Sequence, residues 1–491
     1  MTHPQPARGA SFRLTDGVVL GFAAELVLLP TGLITAAVLT RALGPSGYGL
    51  FSVAATFITW LAFTTTTLLA RAAVKFVSEA DDWRPVATSV LRARLAVGGA
   101  AFLVVLLGAP AFARLLGAPE LAPYLRVFAV DLLLFNLARA YRDVLTGRGR
   151  FREVAVVSLA RWMTRLALIV ALVLLTGSIM GAVVGSVGAT AVELLVARRF
   201  GRVPLRGRSP IPWSRMWQVA APLVVYGAAL QLFSKIDLFA LSALRGTSAD
   251  VGLYAAAQNL AVAPGLFALS LGPLLLATLS RLRRTGAERD ARRIARIALR
   301  VSFALVPLAA LVAATADDIV RVVFGASFGG AGVLLALLFA AAVALVVMSV
   351  AVSVVTAADA HGVVSLLGAG VLAGAIVGHL VLIPRLGAVG AALVTAGVSV
   401  AGGLASIALV HRLWNVHAYG TLLRAALVAA PAYWLAALAP GAGAPALVAK
   451  VVAVTGFVVG GFVVLGELDA DERRRVRAAW PRRRLASAGS E

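Results

Sequence analysis

Apolar stretches of about 20 residues follow one another from end to end of the chain, and the polar gaps between them are too short to hold a core of their own. A helix rises 1.5 Å per residue, so a run of about 20 crosses the ~30 Å hydrocarbon layer of a bilayer. The pattern predicts about fourteen spans, near residues 17–39, 49–74, 88–112, 124–146, 153–176, 178–197, 217–244, 252–280, 297–316, 331–356, 363–384, 388–411, 419–438 and 445–466. The expected fold class is an all-α polytopic membrane protein. Composition points the same way: of 491 residues 60% are apolar and 14% charged, with a mean hydropathy of +0.93, whereas a soluble domain carries about 25% charged residues.

A net charge of +23 raises the question of nucleic acid, and the distribution of the charge answers it. Arginines gather in alternate gaps: Arg148, Arg150 and Arg152, then Arg198 to Arg215, then Arg281 to Arg296, then the C-terminal Arg473 to Arg477. The other gaps hold single cations such as Arg41, Arg245, Arg321 and Arg385. Alternation of this kind is an orientation signal and predicts both termini on the cytoplasmic side of the membrane, with no nucleic-acid partner. The N-terminal stretch lacks the small-residue cleavage site of a secretory signal, so the first run is expected to stay as a helix. The segment RRFGRVPLRGRSPIPWSRMW, with Pro204, Pro210 and Pro212, is too charged and too broken to enter a bilayer. It sets the expected organisation: residues 1–200, a basic linker 201–216, residues 217–413, a further pair of spans 414–466, and a basic tail 467–491. The stretch Arg281 to Arg300 has helical spacing and reads either as a solvated orientation signal or as an amphipathic helix against anionic lipids of the cytoplasmic leaflet.

Two short stretches repeat one another. RALGPSGYGLFSV, from Arg41 to Val53, and ALRGTSADVGLYAAA, from Ala243 to Ala257, each place Gly-Leu-aromatic at the opening of a span: Gly49-Leu50-Phe51 and Gly252-Leu253-Tyr254. The copies stand six spans apart and run in the same direction, as in a parallel repeat of two bundles about an axis along the membrane normal. Chance similarity between alanine-rich helices is the competing explanation.

RALGPSGYGLFSVAATF with the following RAAVKFVSEA resembles the first hairpin of oligosaccharide-lipid flippases, the polysaccharide-biosynthesis branch of the multidrug/oligosaccharidyl-lipid/polysaccharide exporter superfamily. KIDLFALSALRGTSADVGLYAAAQNL, TGRGRFREVAVVSLARWMTRLALIVALVLL and HLVLIPRLGAVGAALVTAGVSV resemble the seventh-to-eighth, fourth-to-fifth and eleventh-to-twelfth turns of the same family. The resemblance implies two six-helix lobes around a central cavity plus two C-terminal helices. It implies transport of a polyprenyl-pyrophosphate-linked glycan across the bacterial cytoplasmic membrane by alternating access, next to a glycan polymerase complex. A multidrug or cation antiporter of the same superfamily is the rival reading, and a peptidoglycan lipid-precursor flippase is a sub-case. An enzyme is not expected: the five histidines form no triad or metal-ligand spacing, and there is no cysteine.

Ionisable groups inside spans are costly and usually face a cavity or a partner. Those expected to face a cavity are Arg71, Arg139, Arg161, Arg165 and Lys235, with Gln231 as a polar neighbour. Arg161 and Arg165 stand four apart and so share a helix face, where two planar guanidinium forks suit a diphosphate. Pairing of Arg161 with Asp131 or Glu25 is the structural alternative. Lys235 and Asp237, two apart, point to opposite sides of a helix. No cofactor is expected beyond a proton or sodium gradient, and Glu25, Asp131 and Asp237 are the candidate coupling carboxylates.

Overall fold

Unbroken apolar sequence makes long helices here. The structure, a computed structural model, describes residues 27–203, 235–244, 247–439, 441 and 443–465. Among them every regular element is helical: α1 (Leu28–Glu79), α2 (Trp83–Leu115), α3 (Ala122–Gly147), α4 (Phe151–Thr176), α5 (Ile179–Gly201), α6 (Ile236–Leu244) and α7 (Ser248–Ala261). There follow α8 (Gly265–Arg284), α9 (Glu288–Phe303), α10 (Leu305–Phe324), α11 (Gly332–Thr356), α12 (His361–Trp414), α13 (Tyr419–Leu438) and α14 (Ala444–Val464), with short 3-10 turns at Pro119–Leu121 and Ala326–Ala331.

Eleven helical stretches among the described residues are long and apolar enough to cross a membrane. Two of them, α1 and α12, are each a pair of helices meeting at one glycine. Gly44 (φ 65°) and Gly387 (φ 57°) occupy the left-handed region that a side chain disfavours. The first two expected spans meet at Gly44, and the eleventh and twelfth at Gly387. The span expected over 217–244 lies mostly outside the described residues, which hold only its end as α6, so fourteen spans are not counted out here.

One expected span changes. Residues 252–280 do not form a single helix: α7 stops at Ala261 and α8 starts at Gly265. Pro264 has no N–H to continue the ladder, and its ring crowds the carbonyl four residues back. The basic segment ahead of 297–316 is itself helical, as α9, and reaches to within one residue of α10.

The chain forms two compact units. The first comprises residues 1–260, 323–334 and 372–395, and the second the remainder. In the first unit the end of α1 and helices α2 to α5 enclose one core, with Val77, Leu91, Tyr141, Leu145, Val157 and Ala197 at its centre. In the second, α8, α9, α11, the end of α12 and α13 share a core through Leu279, Leu299, Val350, Val410 and Ala425. Lys450 of α14 is tied to Asp318 of α10 at 3.1 Å. Small residues line the helix contacts, while Leu107, Leu175 and Leu438 are 75–81% exposed or nearly so, the distribution expected where lipid is the solvent and close backbone packing holds helices together.

The two copies of the Gly-Leu-aromatic motif, both within the first unit, pack against each other. A Cβ on Gly49 would lie 1.9 Å from the carbonyl oxygen of Ser248, and one on Gly252 would lie 1.9 Å from that of Pro45. Pro45 and Ser248 each stand four residues before the glycine of their own copy, so the contact is self-complementary, as at a twofold axis. This favours a repeat over chance similarity, and it assigns the glycines a physical job: only a bare backbone fits.

Gly49→Ala and Gly252→Ala are each expected to lower thermal stability in detergent by about 1–3 kcal/mol. Their double variant should fall short of additivity, because both relieve one contact. Gly397→Ala, where an added Cβ meets nothing within 4 Å, should be neutral or slightly stabilising. Additive losses, or equal losses at all three positions, would contradict a shared contact.

Candidate functional site

The polar and aromatic residues of the second half of α1 share a face: Tyr48, Ser52, Thr56, Thr59 and Phe63 recur at spacings of three and four. This face forms one wall of a cavity of about 280 Å³. The opposing walls are Arg165 of α4, Lys235 with Leu238 at the start of α6, and Ala255, Gln258 and Asn259 of α7. A second cavity of about 170 Å³ lies between the first half of α1 and α4, and shares Tyr48, Phe51, Arg165 and Asn259 with the first. The Asn259 side-chain amide donates to the Tyr48 hydroxyl at 2.6 Å, so this pair stands between the chambers, and Arg165 borders both.

Charge in these walls is one-sided. Among the described residues, Arg165 and Lys235 are the charged residues lining the two cavities, and none of the described lining residues is a carboxylate. Arg165 makes no ion pair among the described residues; its guanidinium lies 6.0 Å from the Trp162 ring centre. A planar cation held beside hydroxyl and amide groups, with no ion pair among the described residues, is a ready partner for an anion.

Arg161 is placed differently from Arg165. Although it shares a helix face with Arg165, it lines neither cavity. Its Nη1 donates to Glu193 Oε2 at 2.7 Å, while Arg142 Nη1 donates to Glu193 Oε1 at 3.3 Å. Glu193, 0% exposed, is thus a carboxylate of α5 clamped between a guanidinium of α3 and one of α4. Of the partners the structural alternative named, Asp131 has Arg161 as a neighbouring charge without an ion pair among the described residues, and Glu25 lies outside the described residues. Arg139 also lines neither cavity; it lies 4.9 Å from the Phe135 ring centre, and Arg161 lies 4.4 Å from the same ring. A further ion pair, Arg94 with Asp143, joins α2 to α3.

Asp131, 9% exposed, has Arg161 and Arg165 as neighbouring charges and carries an Oδ1 without a hydrogen-bond partner. Asp237, 7% exposed, lines neither cavity. It accepts from the Tyr254 hydroxyl at 2.7 Å, the Gln258 amide at 3.0 Å and its neighbour Leu238 N at 2.8 Å. The opposite-faces expectation for Lys235 and Asp237 therefore resolves: Lys235 borders the cavity while Asp237 is turned into the packing against α7. Glu25 and Gln231 lie outside the described residues, as does the side chain of Arg71.

Sequence reasoning passed over Tyr48, Trp60, Gln258 and Asn259. The signal was present. The stripe from Tyr48 to Phe63 is a helical polar face inside an apolar run, and Gln258-Asn259 is an amide pair among alanines.

Solved structures of low sequence identity share the fold. A lipid II flippase, MurJ, in its inward closed conformation superposes with a TM-score of 0.72 at 15% identity, over 91% of this chain and 98% of that one. An inward-facing multidrug resistance MATE family transporter of the MOP superfamily gives 0.57 at 16% identity, over 80% and 94%. A mutant of the Vibrio cholerae MATE transporter VcmN gives 0.54 at 18% identity, over 82% and 97%. No curated protein matches the chain by sequence. The profile of the polysaccharide biosynthesis protein family matches residues 14–276. With more than half of its length so matched, this multi-pass membrane protein belongs to the polysaccharide biosynthesis protein family.

Proposed function

We propose that the protein is a flippase that carries lipid-pyrophosphate-linked oligosaccharide repeat units across the bacterial cytoplasmic membrane by alternating access between two six-helix lobes. Both termini are cytoplasmic in this reading. The observation that carries it is a cavity whose charged lining residues among those described, Arg165 and Lys235, are both cations, with no carboxylate among the described lining residues. The guanidinium fork matches phosphate oxygens, and its charge is not titrated away. Beside it, Tyr48 and Trp60 offer flat apolar ring faces, and Ser52, Thr56, Gln258 and Asn259 offer hydrogen bonds. Sugars, which alternate C–H faces with hydroxyls, need both kinds of contact. An organic cation would meet repulsion from Arg165 and Lys235, with no carboxylate among the described lining residues to offset it, which disfavours the antiporter reading.

Return of the empty carrier requires coupling to an ion gradient when the glycan is moved uphill. Asp131 and Asp237 serve as coupling carboxylates here, with Glu25 as the third candidate. Asp131 neighbours Arg165 and keeps one oxygen unpartnered. Asp237 is buried among three donors with no cationic partner in ion-pair contact among the described residues.

Arg165→Ala is expected to cut transport of a pyrophosphate-linked lipid in proteoliposomes by about 10–100-fold, with insertion and melting temperature unchanged. Arg165→Lys should recover only part of the rate, since it keeps the charge and loses the fork. Transport at the wild-type rate in Arg165→Ala would remove the cavity from the pathway. The neighbouring Arg161→Gln should fail differently. It leaves Glu193 half-answered in a dry interior, with a stability loss on the order of 3 kcal/mol, seen in the melting temperature before any effect on cargo affinity. In binding measured by quenching of Trp60 and Trp162 fluorescence, a pyrophosphate-linked lipid should compete and an organic cation of similar size should not. The reverse order would favour the antiporter.

A further inference from the structure

Seven arginines crowd the turn between α8 and α9. Arg281, Arg283 and Arg284 close α8, and Arg289, Arg292, Arg293 and Arg296 lie within the first nine residues of α9. All seven are exposed. Taken alone, α9 is the kind of amphipathic helix that floats with its apolar face sunk in a leaflet. Its packing rules that posture out. Ala291, Ala295, Leu299 and Phe303 are each 0% exposed, and they join the second unit's core with Leu279 of α8 and Val350 of α11. The apolar face is already covered by protein, and what remains outward is charge.

Most of that charge is unanswered. Arg292 pairs with Glu288 at 3.0 Å, and Arg283 donates to the Ala357 carbonyl at 2.7 Å beside Asp359 at 3.6 Å. Arg281, Arg284, Arg289, Arg293 and Arg296 make no ion pair among the described residues. Like charges at this density repel one another unless counter-charge is supplied.

The location says what supplies it. Arg283 reaches the turn that ends α11 and precedes α12, and its guanidinium lies 5.7 Å from the Trp414 ring centre at the end of α12. Trp414 in turn donates to the Val354 carbonyl at 3.0 Å, and α13 starts at Tyr419. Several membrane-length helices therefore begin or end at the level of this turn, where a span leaves hydrocarbon for the headgroup layer. We infer that the outward arginine face of the α8–α9 turn binds the phosphate-bearing headgroups of anionic phospholipids in the adjoining leaflet. The apolar face fixes the helix to the protein, and the arginine face fixes the protein to the lipid charge. This surface lies in the second unit, and its test does not depend on the transport reading.

The full chain is reconstituted in vesicles of equimolar phosphatidylcholine and phosphatidylglycerol and extracted, and the lipid retained with it is quantified. The wild type should retain phosphatidylglycerol in excess, and the excess should shrink as sodium chloride is raised. A triple Arg289→Gln, Arg293→Gln, Arg296→Gln variant should bind it about 100-fold more weakly. Its melting temperature in pure phosphatidylcholine should equal that of the wild type, which separates lost binding from lost folding. Arg114→Gln, at the end of α2, should keep the excess. Equal retention by the triple variant would overturn the inference. So would salt-independent retention, or an equal rise in melting temperature from inorganic phosphate alone, which would make the site one for free anions. A photocross-linker at position 293 that captures an acidic protein in place of lipid would overturn it as well.

Discussion

A guanidinium placed within a membrane-crossing helix must be answered by an acid, a ring or water, and the first unit is arranged around that constraint. Glu193 answers two arginines from different helices, Arg142 and Arg161, and so ties α3, α4 and α5 at one buried point. Asp143 answers Arg94 and ties α2 to α3. Phe135 offers its ring to Arg139 and Arg161. When these have been satisfied, Arg165 remains, one turn along α4 from Arg161, facing open cavity. The same residue type serves as a rivet where a carboxylate of a neighbouring helix pairs with it and, in the proposed flippase, as a binding group where no ion pair forms.

Rigid ties of this kind give the cavity its walls. The Tyr48-to-Phe63 face stands opposite Arg165 because α1 crosses the bundle held by those pairs. Its other boundary, α7, approaches as closely as it does because Gly49 and Gly252 have no side chains to hold it off. Backbone-to-backbone packing suits a membrane interior, where apolar side chains gain little from leaving lipid for protein and contact distance decides association. Asn259, on α7, can thus reach the Tyr48 hydroxyl on α1. The motif that sounded like an echo in the sequence turns out to be where the two copies touch.

Much of this was legible beforehand, and the failures have physical causes. Spans were legible because bilayer crossing demands unbroken apolar length, and the ends of α3, α4 and α11 fall within a few residues of expectation. Hydropathy alone runs through the break at Pro264, since it counts side chains and a proline interrupts through its missing N–H. Arg165 and Arg161 were picked out together, because residues four apart share a helix face. Only the packing of α4 on α5 shows that Glu193 claims one and not the other. Periodicity along a single helix carries no information about the register of the next. The stripe of Ser52, Thr56 and Thr59 was within reach, because isolated polar residues at helical spacing inside an apolar run have to face something other than lipid.

In the proposed flippase, the choice of arginine limits how the cavity is controlled. Its charge persists across the physiological pH range, so a proton cannot release a bound anion by neutralising Arg165. Release has to come from geometry or from a competing acid: the fork is pulled away from the cargo, or a carboxylate takes the cargo's place. We propose Asp131 for that role: it has Arg165 among its neighbouring charges and one oxygen without a hydrogen-bond partner. A carboxylate that competes with cargo for one guanidinium, and that can itself be protonated or paired with a cation, links the cargo site to an ion gradient without asking arginine to titrate. On that logic Arg165 and Asp131 belong to one device, in which the arginine supplies a constant attraction and the aspartate the variable one.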